Sequence, residues 1–241
     1  MNIQANINLM SSMKLLGMKE AYKAISEMPA DRQPDTHHCI ATILDAEQQM
    51  RNHKTTNLFL RLSRLKYSAN FNDILYGDDR NLDKNIIASL ADMAFIKRGH
   101  NILITGATGC GKSYLASAFG YQACLYGSRT LYYNMNRLAE HIALAKIDGS
   151  FLKWINYVQK AKLLIIDDFG IQPLSQNVKL AILQILEDRY KSASTIIASQ
   201  LPTEKWFDFI DEPTIADAIM DRLIPNATKI NLKGKSLRNQ L

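Results

Sequence analysis

The eight residues Gly106-Ala107-Thr108-Gly109-Cys110-Gly111-Lys112-Ser113 constrain this chain more than any other stretch. They follow an apolar run, Asn101-Ile102-Leu103-Ile104-Thr105, and precede Tyr114-Leu115-Ala116-Ser117-Ala118-Phe119, which reads as a helix start. Strand, GxxxxGK(S/T) loop and helix in that order spell a phosphate-binding P-loop. Glycines let the backbone fold tightly enough for successive N–H groups to point at phosphate oxygens. The helix N-terminus adds its partial positive charge beneath them. Lys112 can reach β- and γ-phosphates, and the Ser113 hydroxyl can ligate Mg²⁺. The binding residues expected are Gly106 to Ser113 together with Tyr114, which opens the helix. A glycine-rich turn with an incidental lysine is the alternative, and the flanking strand and helix argue against it. The sequence therefore predicts a nucleoside triphosphate site, with ATP and Mg²⁺ as cofactors.

A chain of 241 residues can build one good core and a small additional domain. Its composition, 47% hydrophobic and 22% charged, is that of a globular protein. No apolar run approaches the ~20 residues of a membrane span, and the polar start Met1 to Asn6 lacks a secretory core, so no membrane association is expected. Cys39, Cys110 and Cys124 have neither metal-ligand spacing nor an even disulfide set, and a thiol inside the phosphate loop suits a reducing, cytoplasmic setting. His37-His38 reads as a solvated loop or helix start. A net charge of +6 makes an anionic partner plausible.

Apolar positions between Leu9 and Glu27 recur at helical spacing, as they do from about Ile40 to Leu65, with a break at Pro29 to Pro34. From Arg51 to Asn72 there is no acidic residue, while Arg51, Lys54, Arg61, Arg64 and Lys66 are basic and Phe59, Tyr67 and Phe71 are interleaved. These five basic residues are candidate phosphate-backbone contacts on DNA, a solvated helix face being the alternative. The stretch from Tyr67 to Asn85 reads as a linker. The expected organisation is a helical N-terminal domain over 1–75, a linker over 76–85 and a nucleotide-binding domain over 86–241. Ile86 to Ile96 reads as a helix leading into the P-loop strand. Thr130 to Tyr133 is a second strand and Arg137 to Ala145 a helix. Lys162 to Asp168 is a continuously apolar strand ending in two carboxylates, Val178 to Tyr190 a helix, and Ser194 to Gln200 a further strand. Alternating strands and helices predict a parallel α/β sheet between helices.

Ligands in such sheets bind outside the carboxyl ends of the strands. Asp167 fits the Walker B carboxylate that holds Mg²⁺, and Asp168 is placed to orient or deprotonate the attacking water. Two aspartates merely capping the turn at Phe169-Gly170 is the alternative. Gln200, or Ser199 beside it, could sense the γ-phosphate by hydrogen bonding. Arg222, near the end of a helix spelled Ala218 to Leu223, could act in trans on a neighbouring copy's γ-phosphate, and a surface Asp–Arg pair is the alternative. The tail from Lys229 carries Lys233, Lys235 and Arg238 without an acid, as a phosphate-contacting element or an end of the chain that merely aids solubility. Lys146 to Lys153 is a candidate DNA loop.

Four segments occur in the order found in IstB proteins: the P-loop, LLIIDDFG (Leu163 to Gly170), TIIASQLPTEKW (Thr195 to Trp206) and AIMDRL (Ala218 to Leu223). Gly234-Lys235-Ser236-Leu237-Arg238 resembles the family's C-terminal motif. IstB proteins are AAA+ ATPase helpers of insertion-sequence transposases, related to DnaC-type helicase loaders, and the resemblance covers nearly the whole chain. It implies a P-loop AAA+ core behind a small helical domain. It further implies Lys112 and Ser113 as Walker A residues, Asp167 and Asp168 as Walker B, Gln200 as the first sensor and Arg222 as an arginine finger. The implied activity is ATP hydrolysis by a homo-oligomer assembled on duplex DNA, with nucleotide at its subunit interfaces, that recruits or stimulates a partner transposase. A helicase loader is the nearest rival, and a small-molecule kinase a more distant one. Two features depart from the pattern. Asp168 stands where AAA+ proteins more often carry Glu, and the sequence lacks a full helical lid after Arg222, which leaves Arg238 as the candidate for a second sensor.

Overall fold

The structure is a computed structural model that describes residues 2–237; Arg238, the candidate second sensor, lies outside them. Contacts divide the chain into two units between Leu58 and Phe59, rather than at residue 75.

The first unit holds α1 (Ile3–Ser12), α2 (Leu16–Ser26) and most of α3 (Thr36–Ser63). The helix expected over Leu9 to Glu27 is broken at Lys14, which takes a left-handed φ of 60°. Asn2 caps α1 by accepting from the Ala5 N–H at 2.8 Å, whereas no local side chain caps α2. Glu47 of α3 supplies that cap, its Oε2 accepting from the N–H groups of Gly17 at 2.8 Å and Met18 at 3.2 Å. Two of the donors that a helix start leaves unpaired are thereby satisfied. A Cβ on Gly17 would meet the Ala46 carbonyl oxygen at 2.5 Å, so glycine is what lets the two backbones approach. His37 and His38 lie in the first turn of α3, exposed, with their N–H groups on the Asp35 carboxylate.

In the second unit, α4 (Lys84–Leu90) and α5 (Ala94–Lys97) replace the single helix expected before the P-loop. Met93, with φ 58°, separates them, and the Asp92 carboxylate caps α5 by accepting from Ala94 N–H at 2.9 Å. The α/β alternation follows: β1 (Asn101–Gly106), α6 (Lys112–Leu125), β2 (Thr130–Asn134), α7 (Met135–Ile147), α8 (Phe151–Gln159), β3 (Leu163–Phe169), α9 (Gln176–Arg189), β4 (Ser194–Ser199), α10 (Trp206–Ile210), α11 (Pro213–Leu223) and β5 (Ala227–Leu232). Among the described residues the strands form one parallel sheet in the order β2-β3-β4-β1-β5.

Both faces of the sheet are covered, which is why its strands are apolar without interruption. Ile102 and Ile104 join a core with Leu115 and Phe119 of α6, while Leu103 between them joins the opposite core with Leu138, Trp154, Ile182 and Trp206. The stretch expected as a linker belongs to the first of these cores. Ala69, Ile74 and Leu82 are buried in it, and Arg80 donates to the Cys110 carbonyl at 2.8 Å. The clustered Asn, Gly and Asp residues mark turns between these anchors, not a chain free of the sheet.

Residues 227–232, partly expected as a basic tail, form the edge strand β5 beside β1. Ile230 and Leu232 are buried while Lys229 and Asn231 are not fully covered, the alternation of a strand packed on one side. The Lys146 to Lys153 stretch is the end of α7, a turn at Gly149 (φ 74°) and the start of α8. Among the described residues no helix is long and apolar enough to cross a membrane.

Candidate nucleotide-binding active site

The carboxyl ends of β1, β4 and β3 lie side by side and gather the P-loop, Asp167, Asp168 and Gln200 at one end of the sheet. The P-loop backbone is wound as its glycines predict. Gly106, Gly109 and Gly111 have φ of 148°, 82° and 96°, a region costly for residues with a Cβ. A Cβ at Gly106 would collide with the Leu232 carbonyl and the Cys110 sulfur, and one at Gly109 with Ser236. The C-terminal motif therefore packs against the loop, and the Leu237 N–H donates to the Gly109 carbonyl at 3.0 Å. Cys110 is buried, as a space-filling role requires. Lys112 is also buried, and its ammonium donates to the Ala107 carbonyl at 2.8 Å, which holds it across the loop. Tyr114 packs beside Tyr67, with ring centres 5.9 Å apart.

Between β1 and β3 runs β4, and its end is tied to both neighbours. The Thr108 hydroxyl in the P-loop donates to Gln200 Oε1 at 2.8 Å. Ser199 donates to the Phe169 carbonyl at 2.6 Å and accepts from the Leu201 N–H at 3.0 Å. Trp206, fully buried against Phe169, donates to the Leu201 carbonyl at 3.0 Å. The SQLP…W stretch thus fixes the turn that presents Gln200 toward the P-loop.

At the end of β3 the ladder with β4 slips between Ile166 and Phe169, and Asp168 takes φ 60°. Such a bulge re-aims a side chain out of the strand alternation. Asp167 turns inward and is fully buried, with the Tyr132 hydroxyl donating to its Oδ2 and the Asp168 N–H to its Oδ1 at 2.9 Å. Burial first, then the Asp167 charge, pushes the Tyr132 phenol well above its ordinary value, so it remains a donor. Asp168 turns toward the end of β2, where Asn134 Nδ2 donates to its Oδ2 at 2.6 Å.

Lys66, expected with the DNA-contacting basic run, belongs to this site. Its Nζ lies 3.4 Å from Asp167 Oδ2, 3.7 Å from Asp168 Oδ2 and 3.5 Å from Ser113 Oγ. The tight left-handed turn at Arg64 (φ 54°), just after α3, redirects the chain onto the sheet. Arg51 is partly neutralised by Glu47 at 2.8 Å, while Lys54, Arg61 and Arg64 are exposed.

Arg222 is not in the chain's own site. Its guanidinium pairs with Glu187 at 3.0 Å and Asp221 at 3.6 Å. Its carbonyl accepts from the side chain of Asn101, the first residue of β1, whereas the P-loop begins at the last. A six-residue strand, roughly 17 Å, separates the two.

Sequence reasoning missed Lys66, Tyr132 and Asn134. Asn134 had a usable signal, since β2 ends in a polar residue as β3 and β4 do. Lys66 had none, because its placement follows from the turn after α3.

The donor set suits a Mg²⁺–nucleotide. Among the described residues no group of three or more His, Cys, Asp or Glu side chains could cage a metal. Mg²⁺ is commonly held by one or two carboxylates together with substrate phosphates. Ser113 and Asp167 already direct their oxygens at one positive atom, the Lys66 ammonium, so the pair is arranged to take a cation.

The chain matches the family described as IstB-like ATP binding protein over residues 8–241. A Sinorhizobium fredii protein named as an insertion sequence ATP-binding protein is 36% identical over 232 residues, covering 96% of this chain and 95% of that one. The corresponding protein of insertion sequence IS1162 from Pseudomonas fluorescens is 35% identical over 204 residues, covering 84% and 88%. Among solved structures, AMPPCP-bound DnaA from Aquifex aeolicus superposes with a TM-score of 0.59 at 19% identity, over 72% of this chain and 53% of that one. The DnaC helicase loader superposes with a TM-score of 0.58 at 20% identity, over 69% and 98%. The fold is the one these DnaA and DnaC structures share.

Proposed function

The chain belongs to the IstB-like ATP binding proteins, and we propose that it is an ATPase that assembles on duplex DNA in an ATP-dependent way and there recruits or stimulates a partner transposase. What carries the reading is the convergence of the P-loop, the Asp167-Asp168 pair and Gln200 in a chain that matches insertion-sequence ATP-binding proteins over nearly its full length. The nucleotide itself supplies the reactive γ-phosphate, and Mg²⁺ held by Ser113 and Asp167 would neutralise part of its charge.

The protein's own residues then act in named roles. P-loop N–H groups and Lys112 bind and orient the phosphates. Asp168, turned out of the strand and held by Asn134, accepts the proton of the attacking water. Gln200, steadied by Thr108, donates its amide to the γ-phosphate. Arg222, distant from its own P-loop, reaches the nucleotide of a neighbouring copy in the oligomer and stabilises the developing charge. Arg51, Lys54, Arg61 and Arg64 contribute largely sequence-independent phosphate contacts. The cytoplasm is the corresponding compartment.

Sedimentation of the chain on random-sequence duplex DNA, with and without ATP and Mg²⁺, tests this reading. A large nucleotide-dependent complex on duplex is expected. Binding to single strands alone, or no growth until a helicase is added, would transfer the protein to the helicase-loader class.

A further inference from the structure

We propose that Lys66 is a positioning residue that competes with the divalent cation for the Ser113, Asp167 and Asp168 oxygens and is displaced when a metal–nucleotide binds. The inference rests on the nucleotide site described above and extends it to a residue outside the Walker motifs.

Three oxygens from two elements, Ser113 Oγ, Asp167 Oδ2 and Asp168 Oδ2, lie 3.4–3.7 Å from the one ammonium. Asp167 is fully buried, and a buried carboxylate needs a positive partner or strong donors. Its donors are Lys66, the Tyr132 hydroxyl and the Asp168 N–H. Tyr132 and the N–H come from the sheet itself and are fixed. Lys66 comes from the segment after α3, its side chain is 37% exposed, and it has room to move toward water. An ammonium and a divalent cation repel one another and cannot share these inward-facing oxygens.

Mg²⁺ demands close, near-octahedral oxygen contacts and would take the Ser113 and Asp167 lone pairs that Lys66 now faces. Displacing Lys66 also loosens the segment after the turn at Arg64, and with it the tilted packing of Tyr67 beside Tyr114. Filling of the site is thereby reported to the segment that continues α3.

Mn²⁺ provides the probe, because its free electron paramagnetic resonance signal is lost on binding. A titration of the analogue alone subtracts the Mn²⁺ that the analogue takes up in solution. The full chain is titrated with Mn²⁺ in the presence of a non-hydrolysable ATP analogue, for the parent, Lys66→Ala and Lys66→Arg. Removing one partly exposed competing charge should tighten Mn²⁺ binding about three- to tenfold in Lys66→Ala. Lys66→Arg, which keeps the charge, should stay near the parent. Unchanged affinity in Lys66→Ala would overturn the proposal and reduce the residue to packing. Weaker affinity would overturn it in favour of a lysine that helps hold the metal–nucleotide. A parent that retains neither Mn²⁺ nor the analogue would instead overturn the nucleotide site itself, and this inference with it.

Discussion

Asn134 Nδ2 donates to Asp168 Oδ2 at 2.6 Å, so the last residue of β2 holds the carboxylate that the bulge in β3 has turned out of its strand. Asp168 is one methylene shorter than a glutamate, and its aim depends on that amide. Asn134→Ala should lower the ATP turnover rate about tenfold, the effect of losing a group that orients a reacting one. Nucleotide affinity should change less than twofold, because Asn134 does not touch the P-loop. Equal losses in turnover and affinity, measured by steady-state kinetics and analogue binding, would show that Asn134 supports the site as a whole.

Lys112→Ala should abolish nucleotide-dependent assembly. The buried ammonium is a positive charge held across the phosphate loop by its bond to the Ala107 carbonyl, and alanine supplies none. Sedimentation at saturating ATP and Mg²⁺ decides; normal complexes would contradict the role given to it.

Arg222→Ala should leave analogue binding by the isolated subunit intact and lower ATP turnover by about 10³-fold, the lower end for an arginine finger. Because Arg222 sits at the opposite end of β1 from the P-loop, the role proposed for it requires another copy. Mixing Arg222→Ala with Lys112→Ala subunits should therefore restore part of the turnover at interfaces that join an intact P-loop to an intact arginine. A mixture as inactive as its components would remove the in-trans role.

In the first unit, the link from Glu47 to Gly17 predicts an acid response. The Arg51 side chain and the Gly17 and Met18 N–H groups hold the Glu47 carboxyl below its ordinary value. A group with a lowered folded pKa stabilises the fold above its unfolded value and loses that contribution as pH falls through the folded one. Amides at the start of α2 should thus exchange faster, relative to the rest of the unit, as pH drops below 4.5, and Glu47→Gln should remove this pH dependence. Hydrogen exchange read by mass spectrometry resolves the segment.

Arg189 carries a buried charge with no carboxylate paired to it among the described residues. Its guanidinium donates to the carbonyls of Ala161 at 2.8 Å and Ser194 at 2.5 Å and to Thr195 Oγ1 at 3.2 Å, and burial lowers its pKa to about 10. Arg189→Met leaves those acceptors unpaired and should cost about 3 kcal/mol. Thermal unfolding should show a clear drop in Tm with analogue affinity unchanged, because the residue lies far from the P-loop end of the sheet.

Local rules were enough for a large part of this protein. The P-loop declares itself because phosphate binding needs glycines, a lysine and a hydroxyl at fixed spacing. The strands β1, β3 and β4 declare themselves because burial on both faces removes polar residues, and Asp167, Asp168 and Gln200 follow as the polar residues where those runs end. The basic, low-acid composition of Arg51 to Asn72 is likewise plain in the sequence, but which of its charges face solvent is not. Only the folded chain decides that Lys66 faces two carboxylates, because one left-handed turn at Arg64 redirects the segment after α3. Only the sheet order puts Asn134 beside Asp168 and Arg222 a strand's length from its own P-loop, since pairing between strands distant in sequence leaves no local pattern. The edge strand β5 was half hidden for the same reason: its lysine and asparagine face outward on a strand buried on one side, and their polarity masks the pairing with β1.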